Sequence, residues 1–382
     1  MIKNLKFLTV LSLSHSLVHA SMMLIPSLYI FLIKDFNVTA SFLGLIFSVV
    51  SLFFGIGSLP ISFLYNKLGA RKLLLISQLG IALSCILIFF TNKLIPFILL
   101  SSLLGLFSSV HHPIALTLIS EKFNNNISKA NAFHGVFGSL GVSLGPYIAY
   151  LSTQNYDNWH IAFFVVGTMS LFLSISTYFY IPKNQQISQR YNFKNFFLGF
   201  QRKKLLIFFP LSLLIGFNFT AFNTFIPSVF NIEFGEEANL LISIIMIIGI
   251  FGQILAGILG DIYSRFKVLG FVALILFPLF VSIAYLESLS LVIISIILAI
   301  GMYSIQPLLN SIIKDITVPE IRSIIYGANF FLMFGVSGIA SFAGGFIADT
   351  ISYKFIFPIF SIFFPICILL ILNLNKINKS NF

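Results

Sequence analysis

The sequence predicts an all-α polytopic membrane protein, with twelve transmembrane helices forming two six-helix repeats around a central cavity. Three observations predict it. Of the 382 residues, 58% are hydrophobic and 9% charged, against about a quarter charged in an ordinary soluble chain. The apolar runs are continuous for about 18 residues or more, without the alternation over about ten residues expected of an outer-membrane barrel. The second half of the chain also repeats landmarks of the first at a nearly constant offset.

Apolar runs between polar breaks give helices at 7–33, 41–65, 73–91, 94–120, 130–152, 160–181, 205–230, 238–260, 268–286, 289–313, 323–348 and 355–374. Lys3 and Lys6 precede the first run, in which Val18-His19-Ala20 resembles a signal-peptidase site. The run continues to Ile33 and has a counterpart at 205–230, so it reads as a retained first helix.

Charge orients these spans. With the N-terminus in the cytoplasm, 19 of the 22 basic residues fall on that side and only Lys34, Lys93 and Lys354 lie outside, as the positive-inside rule expects. Both termini are then cytoplasmic. The net charge of +11 therefore reports membrane topology and not nucleic-acid binding. The longest polar break, 182–204, reads as a cytoplasmic linker between an N-terminal six-helix bundle, 1–181, and a C-terminal one, 205–382. Cys85 and Cys367 both lie inside apolar runs and offer neither a disulfide framework nor metal-ligand spacing.

The repeat is specific. Ile25-Pro26-Ser27-Leu28-Tyr29 corresponds to Ile226-Pro227-Ser228-Val229-Phe230, the loop Asn66 to Lys72 to the loop Asp261 to Lys267, and Pro113 to Pro307, at offsets of 201, 195 and 194. Trp159-His160-Ile161-Ala162-Phe163 likewise opens span six much as Tyr353-Lys354-Phe355-Ile356-Phe357 opens span twelve. Repeats of six spans in the same orientation pack about an axis along the membrane normal and bind substrate near the midplane, which is a transporter architecture.

On these residues the chain resembles the major facilitator superfamily over essentially its whole length. The loop containing Asn66, Gly69, Arg71 and Lys72, and its repeat Gly257-x-x-x-Asp261 with Arg265, are similar to that family's G-x-x-x-D-x-x-G-R-R/K signature. The resemblance implies a cytoplasmic gate at Asn66, Gly69, Arg71, Lys72, Asp261 and Arg265. Gly138-x-x-Gly141-x-x-x-Gly145-Pro146 resembles the family's glycine-rich signature of span five. Ser14-His15 and Ser108-Ser109-Val110-His111-His112-Pro113 resemble the fosmidomycin-resistance type of efflux protein. That group tends to carry an Asp four residues after the first His and a Glu after His-Pro, where this chain has His19 and Ile114.

Every Asp and Glu maps to a loop or a span end, so histidine is the only titratable type left for a proton pathway inside the membrane. His15 and His19 lie one turn apart on span one, and His112 continues a stripe of Ser101, Gly105 and Ser108 on span four, with His111 about 100° away. A rise of ~1.5 Å per residue puts His15 and His112 at similar depths, about 12 and 13 Å from the cytoplasmic side. His134 lies on the face of Gly138, Gly141 and Gly145. Each of these could instead hydrogen-bond a neighbouring helix. His160, beside Trp159, reads as an interface anchor.

The second half offers neutral groups. Ser212, Gly216, Thr220 and Asn223 lie along span seven, Tyr303, Gln306 and Asn310 along span ten, and Asn329 on span eleven. Asn223, Gln306, Asn310 and Asn329 are candidates for holding a polar ligand, with helix-helix hydrogen bonding as the alternative.

The chain has no G-x-x-x-x-G-K-[ST] loop, so ion gradients are the expected energy source. The expected function is secondary active transport of a small molecule by alternating access, coupled to protons, as a monomeric antiporter for efflux in the cell inner membrane. The alternatives are an uptake carrier for a small anion or metabolite and a transporter-derived sensor or scaffold. With no H-E-x-x-H and no nucleophile-base spacing, an enzyme is not expected, nor a cofactor or metal site.

Overall fold

A computed structural model describes residues 2–123, 127–183 and 203–379, and all regular structure among them is helical. In chain order the α-helices are α1 (Ile2–Ser27), α2 (Tyr29–Phe36), α3 (Ala40–Ser58), α4 (Ile61–Leu68), α5 (Ala70–Phe89), α6 (Leu94–Ser109), α7 (His111–Lys122), α8 (Ile127–Tyr156) and α9 (His160–Tyr180). They continue as α10 (Lys203–Phe234), α11 (Ala238–Ile262), α12 (Arg265–Ser282), α13 (Ser288–Ile316), α14 (Pro319–Phe330), α15 (Ile339–Thr350), α16 (Ile356–Ser361) and α17 (Phe363–Lys379). Most of the inferred linker, 184–202, lies outside the described residues.

Among the described residues ten segments are long and apolar enough to cross a membrane, and one of them, Lys203–Ile262, is 60 residues long. That segment contains both α10 and α11, joined by the 3-10 turn Gly235–Glu237. Helix α8 is not among the ten; its 30 residues include a glycine and serine face that lowers its hydropathy.

Several inferred single spans are interrupted, and proline explains two of the breaks. Pro113 has no N–H for the carbonyl of Ser109 and its ring crowds that carbonyl, so α6 ends at Ser109 and α7 begins at His111. Pro365 stands in the same relation to Ser361, where α16 ends before α17 begins at Phe363. Between α14 and α15 the ladder passes through a π-turn, Phe331–Gly335, and a 3-10 turn, Val336–Gly338.

By internal contacts the chain divides into two units. The first comprises Met1–Val38, Val49–Tyr191 and Phe230–Ile244, and the second Thr39–Ser48, Asn192–Val229 and Ile245–Phe382. In the first unit α1 packs along α8 and α9, α5 lies against α6 and α9, and α7 touches α1, α5 and α8. A buried apolar cluster including Phe7, Leu11, Tyr65, Leu74, Leu118 and Ile181 ties the ends of these helices together. Close approach of α1 and α8 depends on glycine: a Cβ at Gly141 would strike the main chain of Ser16, and one at Gly145 would lie 2.6 Å from the Cβ of Met23.

In the second unit α12 packs on α13, α16 and α17. Helix α10 is joined to the α14–α15 region by three side-chain pairs at one constant sequence separation of 117: Ser212 to Asn329 (2.6 Å), Thr220 to Ser337 (3.0 Å) and Thr224 to Ser341 (3.2 Å). The Asp349 carboxylate accepts from the N–H groups of Ala40 (2.9 Å) and Ser41 (2.8 Å), which satisfies orphan donors at the start of α3 and complements its dipole.

Candidate functional site

Five of the six histidines converge in the first unit. Helix α1 presents His15 and His19 one turn apart, the break made by Pro113 sets His111 and His112 in the first turn of α7, and α8 contributes His134. The Nε2 atoms of His15, His19 and His112 form a triangle with edges of 3.0 Å (His15 to His112), 3.1 Å (His15 to His19) and 3.2 Å (His19 to His112). His15 also stacks nearly parallel on His134, with centroids 4.2 Å apart and an 8° interplanar angle, and on His111 at 5.4 Å and 15°. Phe54 meets His112 edge-on at 5.8 Å.

Hydrogen bonding fixes one proton in this cluster. The Nδ1 of His15 lies 2.9 Å from the main-chain carbonyl of His134, and a carbonyl can only accept, so Nδ1 carries the hydrogen. In the neutral ring His15 Nε2 is then a lone pair facing His19 and His112. A ring nitrogen is a donor or an acceptor, never both, so at least two of the three Nε2 atoms are of the same kind. No arrangement of protons satisfies all three edges at once.

Next to the triangle runs a polar chain that includes one residue sequence reasoning left out, Gln78. Gln78 on α5 donates to the hydroxyl of Ser14 (2.7 Å), which lies 3.2 Å from His111 Nδ1. Gln78 Oε1, His111 Nε2 and the hydroxyls of Ser101 and Ser108 are buried without a hydrogen-bond partner. Buried polar atoms are rarely left so. Gly138 supports the site directly, because a Cβ there would overlap the His15 imidazole. His160 is remote from the cluster: it stacks on Trp159 at 3.6 Å and bonds to Asn158 and to the carbonyl of Thr91.

The second-half candidates divide by their partners. Asn223 accepts from the Tyr303 hydroxyl (3.2 Å) and donates to the carbonyl of Phe219, and Asn329 accepts from Ser212. Both are buried and engaged. Gln306 and Asn310 are half-buried, and among the described residues their side chains make no hydrogen bond.

The signature loops are bound within their own units. Gly69, at φ 77° and ψ 160°, makes the turn between α4 and α5 in a region that disfavours other residues. Arg71 donates to the carbonyl of Ile181 and lies over the Tyr178 ring, whereas Lys72 is exposed. Arg265 pairs at 2.6 Å with Asp315, a partner the sequence pattern did not single out, and at 3.4 Å with Asp261. Asn66 belongs to α4, and its side chain lies outside the described ones.

A helical membrane fold with buried, uncommitted polar groups in its interior defines a class, the solute carriers that bind small molecules within the bilayer. The chain belongs to the Major Facilitator Superfamily, whose family model matches residues 11–331 and 208–382. It is 29% identical over 252 residues to an uncharacterized transporter of Buchnera aphidicola subsp. Schizaphis graminum, covering 62% of this chain and 59% of the relative. The uncharacterized MFS-type transporter YybF of Bacillus subtilis is 24% identical over 246 residues, 62% of this chain and 60% of its own. The multidrug resistance protein MdtG of Rahnella sp. is 28% identical over 169 residues, 43% of this chain and 40% of its own. The chain thus spans less than two thirds of the length of these curated relatives.

Among solved structures the fold is similar to that of a nucleoside transporter NupG mutant, with a TM-score of 0.81 at 14% identity over 96% of this chain and 99% of that one. A D-xylose-proton symporter gives 0.77 at 17% identity over 97% of both chains. At these identities the likeness is one of fold. Family and fold together describe an all-helical, multi-pass membrane protein with about ten to twelve membrane-crossing helical segments, in a family of transporters rather than enzymes.

Proposed function

We propose that this protein is a secondary active transporter that exports a small molecule in exchange for protons, with the histidine cluster as its proton-carrying element. The observation that carries this reading is the Nε2 triangle of His15, His19 and His112, in a chain whose described carboxylates all lie in loops or near helix ends. One added proton turns a triangle that cannot be satisfied into one with an extra donor. His111 and His134 stack against His15 and extend the group toward α7 and α8.

Gln306 and Asn310, whose side chains make no hydrogen bond among the described residues, are suited to orient the substrate, with the engaged Asn223 and Asn329 as further candidates. The two six-helix halves, 1–181 and 205–382, move as alternating-access bodies, with the loops at Asn66 to Lys72 and Asp261 to Arg265 as the cytoplasmic gate. Both termini face the cytoplasm of the cell inner membrane, and the monomer is the working unit. Export is favoured by the partial similarity to a multidrug resistance protein and by the residues shared with the fosmidomycin-resistance type.

The test is a compound panel applied to cells that express the protein, at two external pH values. Export predicts raised tolerance or lowered accumulation of a compound, lost in His15→Asn. Increased accumulation would assign uptake of a metabolite instead, and no effect of the protein on any compound at either pH would favour a sensor or scaffold.

A further inference from the structure

We propose that His15, His19 and His112 form a binding site for a divalent transition-metal ion of borderline softness, such as Zn2+, Co2+ or Ni2+, held by their three Nε2 atoms. Each of the three histidines offers one ligand atom, and these lie within 4.8 Å of one another.

The edges fit an ion. Imidazole binds such metals at about 2.0–2.1 Å, so two nitrogens on one ion stand about 3.3–3.4 Å apart in tetrahedral geometry and about 2.9 Å apart at right angles. The observed edges of 3.0, 3.1 and 3.2 Å fall between these limits. An ion about 1 Å off the plane of the triangle, at about 2.0–2.1 Å from each nitrogen, would accept all three lone pairs and remove the conflict that protons cannot resolve.

The surroundings fit as well. A metal-ligating histidine usually donates its other ring N–H to a carbonyl or carboxylate, which fixes the tautomer; His15 Nδ1 does this to the His134 carbonyl at 2.9 Å. Gly138 leaves room for the His15 ring to stay where that bond holds it. His15 is buried, while His19 and His112 are half-buried. Imidazole is a good donor for these metals and a poor one for Mg2+ or Ca2+.

Three neutral ligands leave the ion's charge uncompensated and at least one coordination position open. Open positions mark exchangeable sites rather than closed structural ones. The ion takes the same lone pairs as a proton, so binding weakens as pH falls.

Purified full-length protein carrying a histidine-free affinity tag is titrated with Co2+ and followed by visible absorption and calorimetry. One Co2+ per chain is expected, with affinity falling on the order of a hundredfold in His19→Asn or His112→Asn and unchanged in His160→Asn. X-ray absorption of the Co2+-loaded wild type, which does not depend on any variant folding, should show three imidazole ligands. Failure of the wild type to bind Co2+, binding equal in both folded triad variants, or fewer than two imidazoles in the spectrum would overturn the proposal. These readouts require no transport, so they fail or succeed independently of the proton-coupling reading.

Discussion

The Nδ1 of His15 donates to the main-chain carbonyl of His134 across 2.9 Å. That contact couples α1 to α8 and determines which nitrogen of His15 faces the rest of the cluster. It makes the histidine group a positioned device rather than a set of buried rings, and four predictions follow from the packing and hydrogen bonding around it and in the second unit.

The glycine face of α8 separates function from stability. A methyl at Gly138 overlaps the His15 ring most closely, whereas one at Gly141 meets the main chain of Ser16. Gly138→Ala should preserve the fold, lower thermal stability modestly and sharply reduce proton-dependent transport. Gly141→Ala must push two helices apart and should destabilise by about 1–3 kcal/mol, as read from unfolding of the detergent-solubilised protein.

Gln306 and Asn310 should respond differently from Asn329. Their side chains are uncommitted among the described residues, so Gln306→Ala and Asn310→Ala should raise the apparent KM with little change in unfolding temperature. Asn329 accepts a 2.6 Å hydrogen bond from Ser212 in the interior, and Asn329→Leu leaves that hydroxyl without its partner. A loss of about 1–3 kcal/mol in stability is expected. Equal effects on KM from all three would contradict the division.

Arg265 should depend on Asp315 more than on the motif's own Asp261. The Asp315 contact is shorter, and its side chain is 28% exposed against 79% for Asp261. Asp315→Asn is expected to lower stability by up to about 1 kcal/mol, and Asp261→Asn by a few tenths at most. Thermal unfolding at low and high salt checks both the order and its electrostatic origin.

The sequence made the membrane fold and the histidines legible for one reason: charged residues and histidines are scarce in this chain, so each stands out. It did not show where the helices break. Hydropathy windows average across Val110 and Ile362, and the breaks follow from the carbonyls that Pro113 and Pro365 leave unpaired. Helical spacing set His111 apart from His112, yet the interrupted ladder at Val110 lets both rings pack beside His15. Gln78 escaped notice because a single amide within an apolar run has no periodic partner, and its role appears only once Ser14 is found 2.7 Å away. Asp315 lies at the end of α13 and reads as a loop charge until Arg265 is seen beside it.

The most direct measurement is proton movement driven by substrate. In proteoliposomes carrying a pH-sensitive dye, a compound identified from the cell panel should drive proton flux opposite to its own, with transport rising as the proton-supplying side is acidified. His15→Asn combined with His112→Asn should abolish the proton signal while leaving a folded, monodisperse protein. Substrate flux in the wild type with no accompanying proton movement, or an unchanged proton signal in the folded double variant, would contradict the assignment of coupling to histidine.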